Sequence, residues 1–530
     1  MGTWGDVALR SDTGLLLRTL VVAAGMCWSV LFVVIGLHYE LQMYGDGSIF
    51  SYAVAVQDSW GFHWHNIAAR LFAYLFSHLP AEVYVALMAD ARGGIALYGF
   101  LFFVAPLLGL AATFAADRSR SRIFFLFACL STACLCPLVF GAPTEMWMAH
   151  ALFWPALAVC HYARAGLAGI ALIFAVLLAL VFTHEGALIF AVAILATLLL
   201  RGSRDAAFRR AAGVFLVVML IWTVIKVALP PDDYTGRELR KLALHVFDIT
   251  ILTGDLMLLL LGALASYGLV FLLLRRLTVA KAHVYAGGMV ALALAVHWLW
   301  FDHALHTQNR YYLRTVILVA TPVLGALAAL LALDADGRLN MPAPIPPRLM
   351  AVLTGDVMAR ATAGALLLVM LVHAVETAKF ITAWTSYKDE VRLLATGTVS
   401  DPALGDPRFV SSERIAADDN RLAWSSTTHF LSVLVAPQLA PARLVVDPQA
   451  YYFWLSCETA TASEAADRAV PVQSRRLVRV HACLHRSSIT AGPLRPRVTS
   501  RCVTAPQTVS AASSQSTDVR LASAPLPPHP

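Results

Sequence analysis

Apolar runs separated by short polar segments recur along most of the chain. A membrane-spanning helix needs about 20 predominantly apolar residues, and eleven runs reach or approach that length. The pattern therefore predicts an all-α polytopic membrane protein with about eleven transmembrane helices. The predicted spans are 15–37, 93–116, 122–141, 147–163, 165–183, 186–200, 211–229, 247–274, 282–300, 312–333 and 361–380.

The stretch 67–90 is also apolar, but polar residues and a proline interrupt it: His78, Pro80, Glu82 and Asp90. Whether this stretch crosses the membrane fixes the side of every later loop. If it does not cross, most arginine and lysine clusters between spans become cytoplasmic together with the N-terminus, as the positive-inside rule requires. The sequence therefore predicts one or two interfacial helices over 67–90, on the extracytoplasmic surface.

Hydropathy falls after Phe380, which places residues 381–530 outside on this topology. Strand-like runs at 443–446 and 451–455 predict a small extracytoplasmic C-terminal α/β domain over 381–484. Residues 485–530 are rich in Ser, Thr, Ala and Pro, so we expect a disordered tail. Cys457, Cys483 and Cys502 allow one disulfide in this region, and the sequence leaves the pairing open.

Composition supports the membrane prediction, because 59% of the 530 residues are hydrophobic and 14% are charged. A soluble fold could not bury that much apolar surface. The formal net charge of +7 would also suit nucleic acid, but the basic residues form short clusters between apolar runs. Membrane orientation explains such clusters better, so we expect membrane lipids and no nucleic acid as partners.

A carboxylate between glycines follows the first predicted span, in the segment Tyr44-Gly45-Asp46-Gly47. Flanking glycines let a substrate approach closely, and a carboxylate just outside the membrane suits a general base acting on a hydroxyl. The alternative is a structural turn, in which Asp and Gly are both common. Asp46 is therefore a candidate catalytic residue.

Two further outer loops contribute acids. Thr183-His184-Glu185 forms the tip of a predicted tight hairpin, and an ionisable pair at the end of a membrane helix is costly unless it faces a polar cavity or a partner. A solvent-exposed hairpin tip is the competing interpretation. Glu145 precedes the span that begins near Trp147. We predict a catalytic role for Glu185 and substrate-binding roles for His184 and Glu145.

The outer segment 302–311 adds His303, Arg310 and Tyr311 as candidate substrate-binding residues. Arg310 suits bidentate binding of a phosphate, although an arginine at a helix end can also extend to the membrane interface beside tyrosines. Pairs such as His303 and His306 have spacings common by chance, and no HExxH motif is present, so we predict no metal ligand. A magnesium or manganese ion bound by carboxylates near Asp46 stays open as a cofactor.

This layout resembles the membrane-embedded GT-C glycosyltransferases, which use polyprenyl-phosphate sugars, and in particular their mannosyltransferase-like members. Asp46 matches the catalytic carboxylate of their first outer loop, 67–90 matches their interfacial helices, and Arg310-Tyr311 looks like the Arg-Tyr that opens a late span. The resemblance implies transfer of a sugar from a polyprenyl-phosphate donor to a lipid or glycan acceptor, at the outer face of a bacterial inner (cell) membrane. Many members have two adjacent acids where Asp46 stands alone, so Glu185 or Glu145 would supply the second carboxylate.

Other functions share part of this pattern. A transporter or flippase for lipid-linked glycans would need many helices, but it would also be expected to have ionisable groups near mid-membrane, where this chain has few. An O-antigen ligase or polymerase shares the donor class, although such proteins depend on a large late outer loop. A non-catalytic assembly protein would fit an outer domain that binds glycan.

Overall fold

A computed structural model describes most of the membrane domain and part of the C-terminal region. The described residues are 12–57, 59, 70–135, 145–228, 255–274, 276, 278–296, 312–339, 356–397, 409–420, 422–423 and 427–447. Arg310, Tyr311, His303, the three late cysteines, the run 451–455 and the tail 485–530 lie outside this part of the chain. Predictions that concern them stay predictions.

Helices account for nearly all of the described structure, and every predicted span contains one. They are α1 (Asp12–His38), α2 (Asp46–Ala55), α3 (Leu71–Met88), α4 (Ala91–Ala116), α5 (Ile123–Leu135), α6 (Met146–Tyr162), α7 (Leu167–Val181), α8 (Ala187–Leu198), α9 (Ala206–Ala228), α10 (Asp255–Leu274), α11 (Val279–Val296), α12 (Tyr312–Ala335), α13 (Asp356–Thr396), α14 (Ala417–Asn420) and α15 (Thr428–Val435).

Six of the described helices are long and apolar enough to cross a membrane: α1, α3, α4, α9, α12 and α13. Their lengths of 18 residues or more match the thickness of the hydrocarbon core. The chain is therefore a helical, multi-pass membrane protein. Crossing by the shorter helices stays a prediction, as does the total of eleven spans.

Small residues and aromatic rings hold the centre of the bundle together. Added Cβ atoms at Gly25 and Gly109 would lie 2.7 Å from the Cys129 backbone and 2.5 Å from the Ala151 carbonyl oxygen, so α1 packs closely on α5 and α4 on α6. Such contacts are typical of membrane helices, in which dispersion forces replace much of the hydrophobic effect. The Phe32 ring of α1 lies 5.3 Å from the ring of Trp147.

Helix α3 covers most of the stretch predicted to be interfacial, and it contains one π-helical turn at Tyr74–His78. It begins beside Arg70, which contacts Glu145 and Glu185, and a two-residue turn joins its end to Ala91 of α4. The opposite end of α4 leads to Ser121, whose carbonyl accepts from Arg18 near the start of α1. Both ends of α3 thus lie on the side of Asp46, as a non-crossing helix requires.

Helix α13 continues well past the predicted end of the last span, to Thr396 instead of residue 380. Its 41 residues extend about 61 Å, roughly twice the thickness of the hydrocarbon core. Beyond it, β1 (Phe409–Ser411) and β2 (Leu444–Val446) form a two-stranded parallel sheet with α15 between them in sequence. The strand predicted at 443–446 is thus present as β2.

Candidate functional site

A strained reversal of the chain after α1 presents Asp46. Glu40 has a φ of 57°, a short 3₁₀ helix follows at Leu41–Met43, and Gly45 has a φ of 57° and a ψ of −132°. A side chain at position 45 would oppose that backbone conformation, whereas glycine adopts it readily. Asp46 is the first residue of α2, where the helix dipole favours its negative charge.

Arg70 lies at the centre of the charged groups near Asp46. Its Nη1 is 3.0 Å from Oε1 of Glu145, and its Nε is 3.4 Å from Oε2 of Glu185. Asp46 acts on the same guanidinium electrostatically. Burial by itself would lower the pKa of Arg70, but the charges of Glu145 and Glu185, and to a lesser extent Asp46, raise it above its ordinary value.

A second cation approaches Glu185 from α9. The Nζ of Lys226 lies 3.6 Å from Oε1 of Glu185 and 5.4 Å from the centre of the Trp222 ring. Burial alone would raise the pKa of Glu185. Arg70, His184, the hydrogen bond with the backbone of Glu185 itself and Lys226 together lower that pKa to about 2. Glu185 is therefore ionised at neutral pH. We call Asp46, Arg70, Glu145, Glu185 and Lys226 the Arg70 cluster.

His184 belongs to the hairpin that carries Glu185. Its Nδ1 accepts a hydrogen bond of 2.9 Å from the backbone N–H of Gly186. A neutral imidazole in this position has its proton on Nε2. The histidine thus fixes the turn that presents Glu185.

The Arg70 cluster is recessed from the end of α1 at His38. The ring of Trp147, two residues after Glu145, contacts the ring of Phe32, which precedes His38 by about 9 Å of helix. Helices α7 and α8 have 15 and 12 residues, fewer than the roughly 20 of a typical membrane span. Glu185, between them, is 23% exposed, and an ionisable group with so little exposure requires a partner.

An apolar cavity of about 140 Å³ lies between α3, α4 and α6. Two of its lining residues are close in sequence to the Arg70 cluster: Phe72 lies two residues after Arg70, and Met148 lies three residues after Glu145. Its lining comprises Phe72, Phe76, Ala105, Leu108, Gly109, Ala112, Met148, Ala151, Leu152 and Pro155.

The acids of the cluster do not form a metal-binding group. Across the described part of the chain, no three His, Cys, Asp or Glu side chains lie close enough together to hold a metal ion. Glu145 and Glu185 turn toward a guanidinium instead, and Arg70 and Lys226 would repel a divalent cation. The arrangement of donors therefore does not fit a magnesium or manganese ion among these residues.

The structure brings Asp46, Glu145, Glu185 and His184 into one neighbourhood. Sequence reasoning did not identify Arg70 or Lys226 as site residues. The signal for Arg70 was its position between a polar loop and an apolar segment, which indicates an interfacial arginine as readily as a functional one. Comparison with known proteins finds no matching family model, curated protein or solved structure.

Proposed function

We propose that this protein is a glycosyltransferase that moves a sugar from a polyprenyl-phosphate donor to a lipid or glycan acceptor. The observation that carries the proposal is the convergence of Asp46, Glu145 and Glu185 on Arg70. An apolar cavity whose lining includes Phe72 and Met148 supports it. A polyprenyl-phosphate sugar combines an isoprenoid chain, an anionic phosphate and a polar sugar. The cavity suits the isoprenoid chain, the cations Arg70 and Lys226 suit the phosphate, and the acids suit the sugar.

In the proposed reaction, Asp46 accepts the proton of the acceptor hydroxyl as that oxygen forms a bond to the anomeric carbon. The bond from the anomeric carbon to the phosphate oxygen breaks at the same time, and its electron pair leaves with polyprenyl phosphate. Attack from the face opposite the phosphate inverts the anomeric carbon. Arg70 and Lys226 stabilise the charge on the departing phosphate.

Glu185 bridges Arg70 and Lys226 in the absence of a substrate, with oxygens 3.4 Å and 3.6 Å from their nitrogens. A bound phosphate would take over these contacts, while Glu145 keeps Arg70 oriented. Glu185 thus holds both cations in place before binding and supplies the second carboxylate near the acceptor afterwards. His184 fixes its turn, and Arg310, Tyr311 and His303 stay proposed contacts to the substrate.

The proposal includes the orientation of the protein in the membrane. Eleven crossings with a cytoplasmic N-terminus put the Arg70 cluster and the C-terminal α/β domain on the extracytoplasmic face of a bacterial inner membrane. The little-exposed carboxylates of the cluster, together with the apolar cavity, support a donor that combines a charged phosphate with a lipid chain. The short helices α7 and α8 allow such a donor to approach from the lipid.

Turnover of radiolabelled polyprenyl-phosphate sugars by the purified protein in nanodiscs tests this proposal. Asp46→Asn should reduce release of polyprenyl phosphate by about 100-fold or more, since a positioned base contributes that much. Asp90→Asn is the matched control, because Asp90 is an exposed outer carboxylate that caps α4. Full activity of Asp46→Asn would overturn the assignment of the base.

A lipid-linked glycan flippase is the second candidate, and the recessed ionisable groups favour it. It predicts binding of the same lipids without release of polyprenyl phosphate. Transport into proteoliposomes that contain fluorescent polyprenyl-phosphate sugar distinguishes the two functions.

A further inference from the structure

The segment that carries Asp46 is held from one side by the outer part of α13. The Nζ of Lys388 lies 2.7 Å from Oε2 of Glu40, and the Nε1–H of Trp384 donates to the carbonyl of Tyr39 at 2.8 Å. The Tyr44 ring packs edge-on against Trp384 at 5.3 Å. These contacts fall at the start of the chain reversal that ends in Asp46.

Residues after α13 hold the other end of the same segment. The hydroxyl of Ser48 lies 2.8 Å from the carbonyl of Gly45 and 3.2 Å from the carbonyl of Thr427. The rings of Tyr52 and Phe430 lie 5.3 Å apart, so α2 and α15 pack directly together. Both ends of residues 39–52 therefore contact the C-terminal part of the chain.

Such support is needed because this segment has little stability of its own. Glu40 and Gly45 both have positive φ values, and α2 has only 10 residues. Isolated helices of fewer than about 12 residues are marginal in water, and a left-handed conformation is unfavourable for a residue other than glycine. Tertiary contacts must therefore fix where the Asp46 carboxylate lies.

We propose that the outer part of α13, together with α15, is a brace that positions Asp46, with Lys388 and Trp384 as its positioning residues. The inference rests on the proposed function only in giving Asp46 a catalytic role. The region predicted as a separate outer domain thereby becomes part of the site. Neither Lys388 nor Trp384 has to touch a substrate.

Amide hydrogen exchange of the full-length protein in nanodiscs tests the brace without any substrate. Lys388→Met and Trp384→Phe should each accelerate exchange over residues 39–48 by about tenfold, because local opening becomes easier. Lys388→Arg should restore slow exchange by keeping the ion pair. Asp389→Asn is the control, since Asp389 lies on the same helix, is 57% exposed and pairs with Arg392. Unchanged exchange in both Lys388→Met and Trp384→Phe would overturn the proposal.

Activity provides the second measurement. A displaced base weakens only the transition state, so Lys388→Met should lower kcat and kcat/KM equally, by roughly tenfold to a hundredfold, and leave KM unchanged. A raised KM with an unchanged kcat would overturn the positioning role. If the wild type has no transferase activity, the proposed function fails, while the exchange result still decides whether the brace exists.

Discussion

Arg70 satisfies two carboxylates that would otherwise be costly within a membrane bundle. Glu145 is 5% exposed and Glu185 is 23% exposed, and the two come from different hairpins. An arginine suits this position better than a lysine, because its planar group can serve two acceptors in different directions. The ion pairs therefore link the start of α3 to the start of α6 and to the turn between α7 and α8.

Removing that arginine should destabilise the protein. Arg70→Met leaves two carboxylates without their main partner, and breaking a buried pair costs about 3–5 kcal/mol. Equilibrium unfolding in mixed detergent micelles measures the change. Adding Glu145→Gln should recover part of the loss, because the two sites are coupled. The exposed Arg209 provides a control, and Arg209→Met should change the free energy of unfolding by less than about 0.5 kcal/mol.

Glu185 should make stability depend on pH in acid. Its folded-state pKa of about 2 lies below the ordinary value of 4.5, so its contribution is complete above pH 4.5 and is lost as pH falls toward 2. The difference in unfolding free energy between the wild type and Glu185→Gln should narrow across that interval. A difference that stays constant from pH 6 to pH 2 would contradict the lowered pKa.

At the scale of elements, the reversal before α2 depends on Gly45. Gly45→Ala places a side chain at a φ of 57° and a ψ of −132°, which should cost roughly 1–3 kcal/mol and reduce activity by moving Asp46. Unfolding free energy and turnover test this together. Gly213→Ala is the matched control: Gly213 lies inside α9, and an added Cβ there meets nothing within 4 Å. That variant should be neutral or stabilised by about 0.5–1 kcal/mol.

Hydropathy predicted the positions of the helices well, but it missed the end of α13. The predicted run 15–37 lies within α1, and the predicted break at 183–186 coincides with the hairpin between α7 and α8. The end of α13 was missed because its outer residues are polar, while the helix continues on contacts made by Trp384 and Lys388. A scale that scores lipid solubility cannot detect a helix stabilised by protein contacts outside the membrane.

At the scale of the whole molecule, the contacts of α3 predict on which side of the membrane its two flanking loops lie. In a cysteine-free background, an impermeant maleimide should label Gln57→Cys and Ala89→Cys from the same side of the membrane, because α3 begins and ends on the side of Asp46. Arg120→Cys, in the loop between α4 and α5, should react only after permeabilisation. Labelling of position 57 together with position 120, with position 89 protected, would mean that α3 crosses.

The sequence by itself determined the membrane class and the approximate helices, and it selected Asp46, Glu145 and Glu185 as candidate site residues. Hydrophobicity is a local property, and the positive-inside rule reads charges that lie near each span. Only the tertiary structure decided that these acids meet at Arg70, that Lys226 approaches from α9, and that α13 contacts the Asp46 segment. These contacts join residues far apart in sequence, and packing between helices brings them together where local patterns carry no information about distance.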